Sequence, residues 1–394
     1  MRRWRRWALA VACWCLTGAA LGQGPDPEIQ RAFIEGLQRL QSGDQAGAER
    51  IFRELLERTR SPRIKLELAR TLFLRKEYRE SRALFREVML DPELPWRVRD
   101  NIEVFLRAID DIEGYVRFSA SVVSDSNPRN ITSQREFTIG GVRLTFEPPQ
   151  DNKRVTGLRY AVQAYRPLLP EDTLSGYFTG SYLDYPSSSL DRLTFDAGLL
   201  KGLGESGITQ ARAGLEAGTF GGKSLYEFPY VGLARRLLQS ERYRVEGSLR
   251  FGRVNFPHAD YLDADYGSVS LNGARELGPT LIGSLGGTLE VSEAREPPYS
   301  YYGVSVEPGV ALLVTQPALL LKATVAYGER RYADLDPLFG VQRSDRRTAV
   351  ELSVRSKEWR WMNFAPVLVV SLEHNRSNID FYAYRKANLS VMLE

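Results

Sequence analysis

The chain has 394 residues, with 53 lysines and arginines against 49 aspartates and glutamates, and only 2 cysteines. The four extra basic residues are matched by Arg2, Arg3, Arg5 and Arg6 at the start, so everything after them is formally neutral and carries no polybasic tract for nucleic acid. Both cysteines, Cys13 and Cys15, fall within residues 1–22, which excludes thiol, zinc-ribbon and disulfide chemistry from the rest of the chain.

Residues 1–22 have the layout of a secretory signal peptide. A charged start is followed by an apolar run from Trp7 to Leu16 and by the small-residue end Ala20-Leu21-Gly22. That run is about half the roughly 20 residues that a spanning helix needs, and cleavage is expected after Gly22. Ala10-Val11-Ala12-Cys13 has too few apolar residues before it to serve as a lipidation box. Beyond residue 22 the longest apolar stretch, Ala365 to Leu372, is interrupted by Pro366. Membrane-spanning helices are therefore excluded, whereas spanning strands, which hide one apolar face in a period-two pattern, are not.

Residues 27–111 are glycine-poor and have helical spacing: Phe33, Leu37, Leu40; Ala48, Ile51, Phe52, Leu55; Leu66, Ala69, Leu72, Phe73; Leu84, Phe85, Val88. An offset of 33 superimposes Leu40 on Phe73, Ala48 on Ser81, Phe52 on Phe85 and Leu55 on Val88. This is close to the tetratricopeptide period of about 34, and Ala48 to Phe52 supplies the A-x-x-x-F element. Glu93 to Asp111 adds a further helix. The spacing alone also admits a plain helical bundle. Two and a half repeats are fewer than the roughly three a free solenoid needs, so these helices are expected to lean on the region C-terminal to them.

After Gly114 the period becomes two. Tyr243, Val245, Leu249 and Phe251 alternate with Arg244, Glu246, Ser248 and Arg250, and Thr348, Val350, Leu352 and Val354 alternate with Arg347, Glu351, Ser353 and Arg355. These runs extend to about 11 to 13 residues, longer than the 5 to 6 of a sandwich strand and long enough to cross hydrocarbon at a tilt. The expected fold is thus α + β multidomain: N-terminal helical tetratricopeptide-like repeats, then a transmembrane antiparallel β-barrel. A water-soluble double sheet is the competing architecture. Fifteen candidate strands can be marked between residues 114 and 393. Because a single-chain barrel with both ends in the periplasm takes an even number, one of 114–125 and 136–147 is surplus. Fourteen strands are expected, with an N-terminal segment as lid or plug. The turns at 277–279 and 315–317 then face the periplasm, and the connections 255–263 and 331–345 face outside. Tyr160, Tyr165, Tyr177, Tyr182, Tyr226, Tyr230, Tyr327, Tyr332, Tyr382 and Tyr384, near strand ends, are candidates for the interfacial aromatic girdles.

Three short motifs in this region carry a resemblance to a known family. Asp125-Ser126-Asn127, Asp336-Pro337-Leu338-Phe339-Gly340 with Arg343-Ser344-Asp345, and Asn375-Arg376-Ser377-Asn378-Ile379 with Phe381-Tyr382-Ala383-Tyr384-Arg385 resemble the barrel of the surface lipoprotein assembly modulator (Slam) family. The resemblance implies residues 27–111 as periplasmic repeats and 114–394 as a fourteen-strand outer-membrane barrel. Clients would be exported lipoproteins or secreted iron- and haem-acquisition proteins, with a periplasmic chaperone, the barrel-assembly machinery and outer-membrane lipid as further partners. A gating or structural role is expected for Asp125, Asn127, Asp336, Phe339, Asp345, Asn375, Ser377, Asn378 and Tyr384, although Asn and Asp at strand ends also serve plain turns. The repeat region is short for this family.

Covalent chemistry has no support in the sequence. Ala217 to Ser224 fits a relaxed phosphate-loop pattern, but Leu225 to Leu237 has strand rather than helix spacing, so a turn is expected. His258 and His374 stand far apart in sequence, and no H-E-x-x-H or G-x-S-x-G is present. Asp263 with Asp265, and Asp334 with Asp336, are expected as solvated loop carboxylates. No enzyme activity, cofactor or metal is expected. The rival functions are an exopolysaccharide export porin, which also places tetratricopeptide repeats before a barrel, and a periplasmic repeat adaptor with a soluble β domain.

Overall fold

The computed structural model describes residues 26–91, 93–139, 141–169, 173–204, 208–240, 242–360 and 364–393. The signal-peptide assignment on 1–22 lies outside them. Two compact units meet in sequence at Asp91 and Pro92.

The first unit contains α1 (Pro27–Ser42), α2 (Gln45–Arg58), α3 (Pro62–Leu74) and α4 (Tyr78–Met89). Asp26 accepts the Glu28 amide at 2.9 Å and Asp44 accepts the Gly47 amide at 2.9 Å, so both first helices start on an aspartate cap. Gly43, at φ 92°, ends α1 in the left-handed region that glycine adopts without strain. Successive helices pack around Phe33, Ala48, Phe52, Leu55, Leu68 and Leu72. Gly36 is needed there, because a Cβ on it would come within 2.7 Å of the Phe52 ring. Positions offset by 33 play equivalent parts: Ala48 and Ser81, and Phe52 and Phe85, are all buried. Ser81 satisfies its hydroxyl on the Ala69 carbonyl at 2.7 Å.

The second unit begins with α5 (Trp96–Glu113) and continues as β1 (Tyr115–Asp125), β2 (Glu136–Ile139), β3 (Val142–Thr145), β4 (Val155–Leu169), β5 (Leu174–Asp184), β6 (Arg192–Leu203), β7 (Thr209–Phe220) and β8 (Lys223–Gln239). It is completed by β9 (Tyr243–Val254), β10 (Ala264–Gly278), β11 (Leu281–Ala294), β12 (Tyr301–Thr315), β13 (Ala318–Leu335), β14 (Gln342–Ser356), β15 (Pro366–Ser377) and β16 (Tyr384–Leu393). The helix drawn from the sequence as the end of the repeat region clusters with the barrel strands.

β1 and β4 to β16 close into a fourteen-strand antiparallel barrel, sealed by pairing of β1 with β16. The surplus strand candidate is 136–147: it forms the separate two-stranded sheet β2–β3, inserted between β1 and β4, while 114–125 is a wall strand. Of the two candidates left open by the sequence, the second is thus the one outside the wall. Glu136–Ile139 pairs with Val142–Thr145 in a sheet of its own, whereas Tyr115–Asp125 pairs along its whole length with β4.

One end of the barrel has the connections 126–154, 185–191, 255–263, 295–300, 336–341 and 378–383; the other has 279–280 and 316–317 as tight turns, together with α5. This is the arrangement of a bacterial barrel with short periplasmic turns and longer outer loops. The Ala217–Ser224 stretch is the turn expected of it, with Gly221 and Gly222 at φ 58° and 76° joining β7 to β8.

Alternation sends one apolar set outward. Phe118 is 79% exposed, Phe251 61%, and Leu285 and Leu289 60% each. At about 25 cal/mol per Å², a continuous belt of such side chains is unfavourable in water and favourable in hydrocarbon. This belt, on a closed sheet with no free edge, replaces the soluble double sheet as an architecture. Among the described residues no helix is long and apolar enough to cross a membrane.

Candidate functional site

The inner wall of the barrel is a lattice of paired charges and tyrosines. Tyr177 on β5 reaches Tyr230 on β8 with 2.7 Å between hydroxyls, and both donate to Asp196 on β6. Strands so far apart in the ring touch only through its concave side. Further inward pairs are Arg330 with Glu290 at 2.7 Å, Arg347 with Glu373 through two bonds of 2.9 Å, and Arg250 with Glu216. Tyr384 donates to the same Glu373 at 2.6 Å. The girdle expectation therefore needs correction. Tyr177, Tyr226, Tyr230 and Tyr384 bond to wall carboxylates, whereas Tyr160, Tyr182 and Tyr327 are exposed on the outer face. Parity along each strand was the available signal, because Tyr177 alternates with the outward Phe178.

The motif residues come together at the loop end of β13 to β1, the sector that contains the closing seam. Asp125, at the tip of β1, is 3% exposed and forms an ion pair with Lys386 of β16 at 2.9 Å. The Tyr185 hydroxyl donates to the same carboxylate oxygen at 3.2 Å, and the other oxygen accepts the Asn127 amide at 2.9 Å. Burial, then the neighbouring Asp125 charge, raises the Tyr185 phenol above its ordinary range. Asn127 donates to the carbonyls of Ile131 and Arg385 at 2.8 and 3.0 Å, and Ser126 exchanges bonds with Ala387. Asp125-Ser126-Asn127 thus stitches the first strand to the last, where their ladder reaches its end at the pair Asp125–Asn388.

The other motifs brace the neighbouring loops. Asp336 accepts the amides of Leu338 and Phe339 at 2.9 and 3.1 Å and the Tyr382 hydroxyl at 2.7 Å. Asp345 holds Arg343 through two bonds, and that guanidinium lies 3.5 Å from the centre of the Tyr382 ring. Asn375 donates to the Tyr382 carbonyl at 2.9 Å, Ser377 accepts the Ile379 amide at 3.2 Å, and Asn378 bridges to the Ser344 amide and the Gln342 carbonyl. Phe339 packs on Phe381 at 5.8 Å, and Phe137 of the β2–β3 hairpin packs on Phe381 at 5.5 Å, seating the hairpin on these two loops.

Sequence reading did not find the partners that complete the cluster, Tyr185 and Lys386, nor the clamp of Arg129 on Asp151 at 2.7 Å. His258 and His374 are not brought together: one lies in the 255–263 connection and the other faces outward on β15.

A closed fourteen-strand barrel with an apolar outer face, a charged inner wall and long loops at one end is an outer-membrane barrel, and the outer membrane is where this chain resides. Residues 216–394 match the family described as surface lipoprotein assembly modifier, and together with the barrel that match fits the Slam family. No curated protein matches by sequence. Solved structures similar in fold include a loop-deleted OmpT of Vibrio cholerae (10% identity, 71% of this chain and 99% of that one, TM-score 0.35). OpdK of Pseudomonas aeruginosa with vanillate shares 11% identity over 71% of this chain and 98% of its own, at TM-score 0.39. OccAB3 of Acinetobacter baumannii shares 10% over 71% and 98%, at 0.41. The family match and the barrel support a role in surface lipoprotein assembly.

Proposed function

We propose that the chain is the outer-membrane translocation component that moves client lipoproteins, or related soluble iron- and haem-acquisition proteins, from the periplasm to the cell surface without covalent chemistry. The family match over residues 216–394 carries this reading, since it covers the barrel from the end of β7 to β16 and the motif loops of β13 to β16. In this reading α1 to α4, as tetratricopeptide-like repeats, present the client or a periplasmic chaperone to the barrel. The barrel-assembly machinery inserts the barrel, and its wall offers a polar path. Arg330, Arg347 and Arg250 alternate with Glu290, Glu373 and Glu216 along that wall. Mixed signs suit a passing polypeptide better than the single-sign lumen expected for sugar export. Deleting the gene and labelling intact cells tests the reading. Loss of a surface-exposed lipoprotein with the capsule intact is the expected result. Loss of capsule with unchanged surface proteins would transfer the assignment to polysaccharide export.

A further inference from the structure

On the outer face of β14 to β16 the lipid-facing pattern changes sign at the loop end. Leu368, Val370 and Leu372 are followed on the same face of β15 by His374 and Arg376; on β16, Leu389 and Ala387 give way to Arg385; on β14, Val350 and Thr348 give way to Arg346. The register brings these residues together. Arg346 is directly opposite Arg376, and His374 is directly opposite Arg385. Like charges facing each other across a ladder oppose sheet formation unless something anionic sits between them. Arg346 has Glu329 at 3.0 Å, but Arg376 and Arg385 have no acidic partner among the described residues. Arg385 instead donates to His374 Nε2 at 3.4 Å.

The height of this cluster is informative. Arg376 is ten residues along β15 from Pro366, which begins that strand at the turn end. At about 3.3 Å per residue and a tilt near 40°, ten residues rise about 25 Å, the height of a barrel's apolar band. The arginines therefore sit where hydrocarbon ends and outer-leaflet headgroups begin. They line a groove of about 710 Å³ together with Ser126 and Ala387 of the seam.

We infer that Arg376 and Arg385, supported by Arg346, form a binding site for a phosphate-bearing outer-leaflet lipid. Guanidinium forks match phosphate oxygens in pairs, and the apolar residues directly below, Leu372 and Leu389, continue as a surface for acyl chains. The site is coupled to the closing seam, because the Arg385 carbonyl is the acceptor for Asn127. A bound lipid would bridge β14, β15 and β16 beside the place where the ring closes.

The test uses the full chain in detergent micelles and native mass spectrometry, with bisphosphorylated lipid A, its dephosphorylated form and inorganic phosphate as probes. The wild type is expected to retain bisphosphorylated lipid A. Arg376→Gln/Arg385→Gln is expected to bind it at least tenfold more weakly, and Arg376→Lys/Arg385→Lys to recover part of the difference. Arg253→Gln, made on the outer face of a distant strand, is expected to change nothing. Gel mobility before and after heating confirms that each variant is folded, and the single variants serve if the double one is not. Equal retention by the Gln double variant, or equal binding of the dephosphorylated lipid, overturns the proposal. Competition by inorganic phosphate at the same concentration as lipid A overturns the lipid assignment in favour of a free-anion site.

Discussion

Asp125 and Lys386 show how much a single buried pair can matter where a barrel closes. Their side chains are 4% and 10% exposed, and each also holds a loop, through Asn127 and Asn130 respectively. Removing one partner of a buried ion pair leaves an uncompensated charge, which costs about 3–5 kcal/mol. Asp125→Ala should therefore lower the temperature at which the heat-modifiable form unfolds on a gel. Asp125→Ala combined with Lys386→Met should recover much of that loss. Strictly additive effects in this double-mutant cycle would show that the pair is not coupled. Asp151 offers a pH-dependent counterpart. Hydrogen bonds from Arg129 and then from Ser189 hold its carboxyl down to about 2. A depressed acid stabilises at every pH above its ordinary range near 4, and that contribution is lost as pH falls through about 2. Protection factors in the 126–154 connection, taken relative to the intrinsic exchange rate at each pH, should therefore stay constant from neutral pH to about 4 and fall near pH 2. Asp151→Asn should show the lowered protection already at neutral pH.

Among the elements, α5 has the most specific placement within its unit. Asp100 meets Lys357 at 2.8 Å, Glu103 meets Arg360 at 3.5 Å, and Asp110 meets Arg117 of β1 at 2.8 Å. Asp100 to Asp110 is about 15 Å of helix, close to the three strand spacings of about 4.8 Å that separate β14 from β1. One helix therefore ties both sides of the seam at the turn end, while Asp125 and Asn127 tie it at the loop end. Asp100→Lys/Glu103→Lys should speed hydrogen exchange in residues 96–113, leaving exchange in β7 to β11 unchanged. Unchanged exchange in 96–113 would show that the ion pairs do not hold the helix. The wall strands were legible because alternation persists over ten or more residues. The hairpin at 136–147 was not separable from them, since four-residue strands with Phe137 and Leu144 on one side carry the same local pattern as a wall strand. The loop caps were also hidden. Asp191, Asp263 and Ser300 each accept the amide of a residue six or seven positions earlier, Tyr185, Phe256 and Ala294, after a short helical turn. In sequence they are ordinary polar residues between strands.

For the whole molecule the orientation is the most direct thing to measure. With Cys13 and Cys15 both in the segment expected to be removed, single cysteines provide clean probes. A cysteine at Leu338 should react with an impermeant maleimide on intact cells, and one at Thr280 only after the outer membrane is opened. The reverse pattern would invert the barrel. Periodicity alone is enough to divide the chain into two regions and to make the second a set of membrane-crossing strands, because a repeat of two sustained over a strand's length has one geometric consequence wherever the strand sits. Which strand candidate stays out of the wall, which tyrosines turn inward, and the meeting of Asp125, Asp345 and Asn375 at one end of the seam emerge only in the folded barrel. Those outcomes depend on pairing register and ring closure, which bring together residues more than 200 positions apart through contacts that no local pattern encodes.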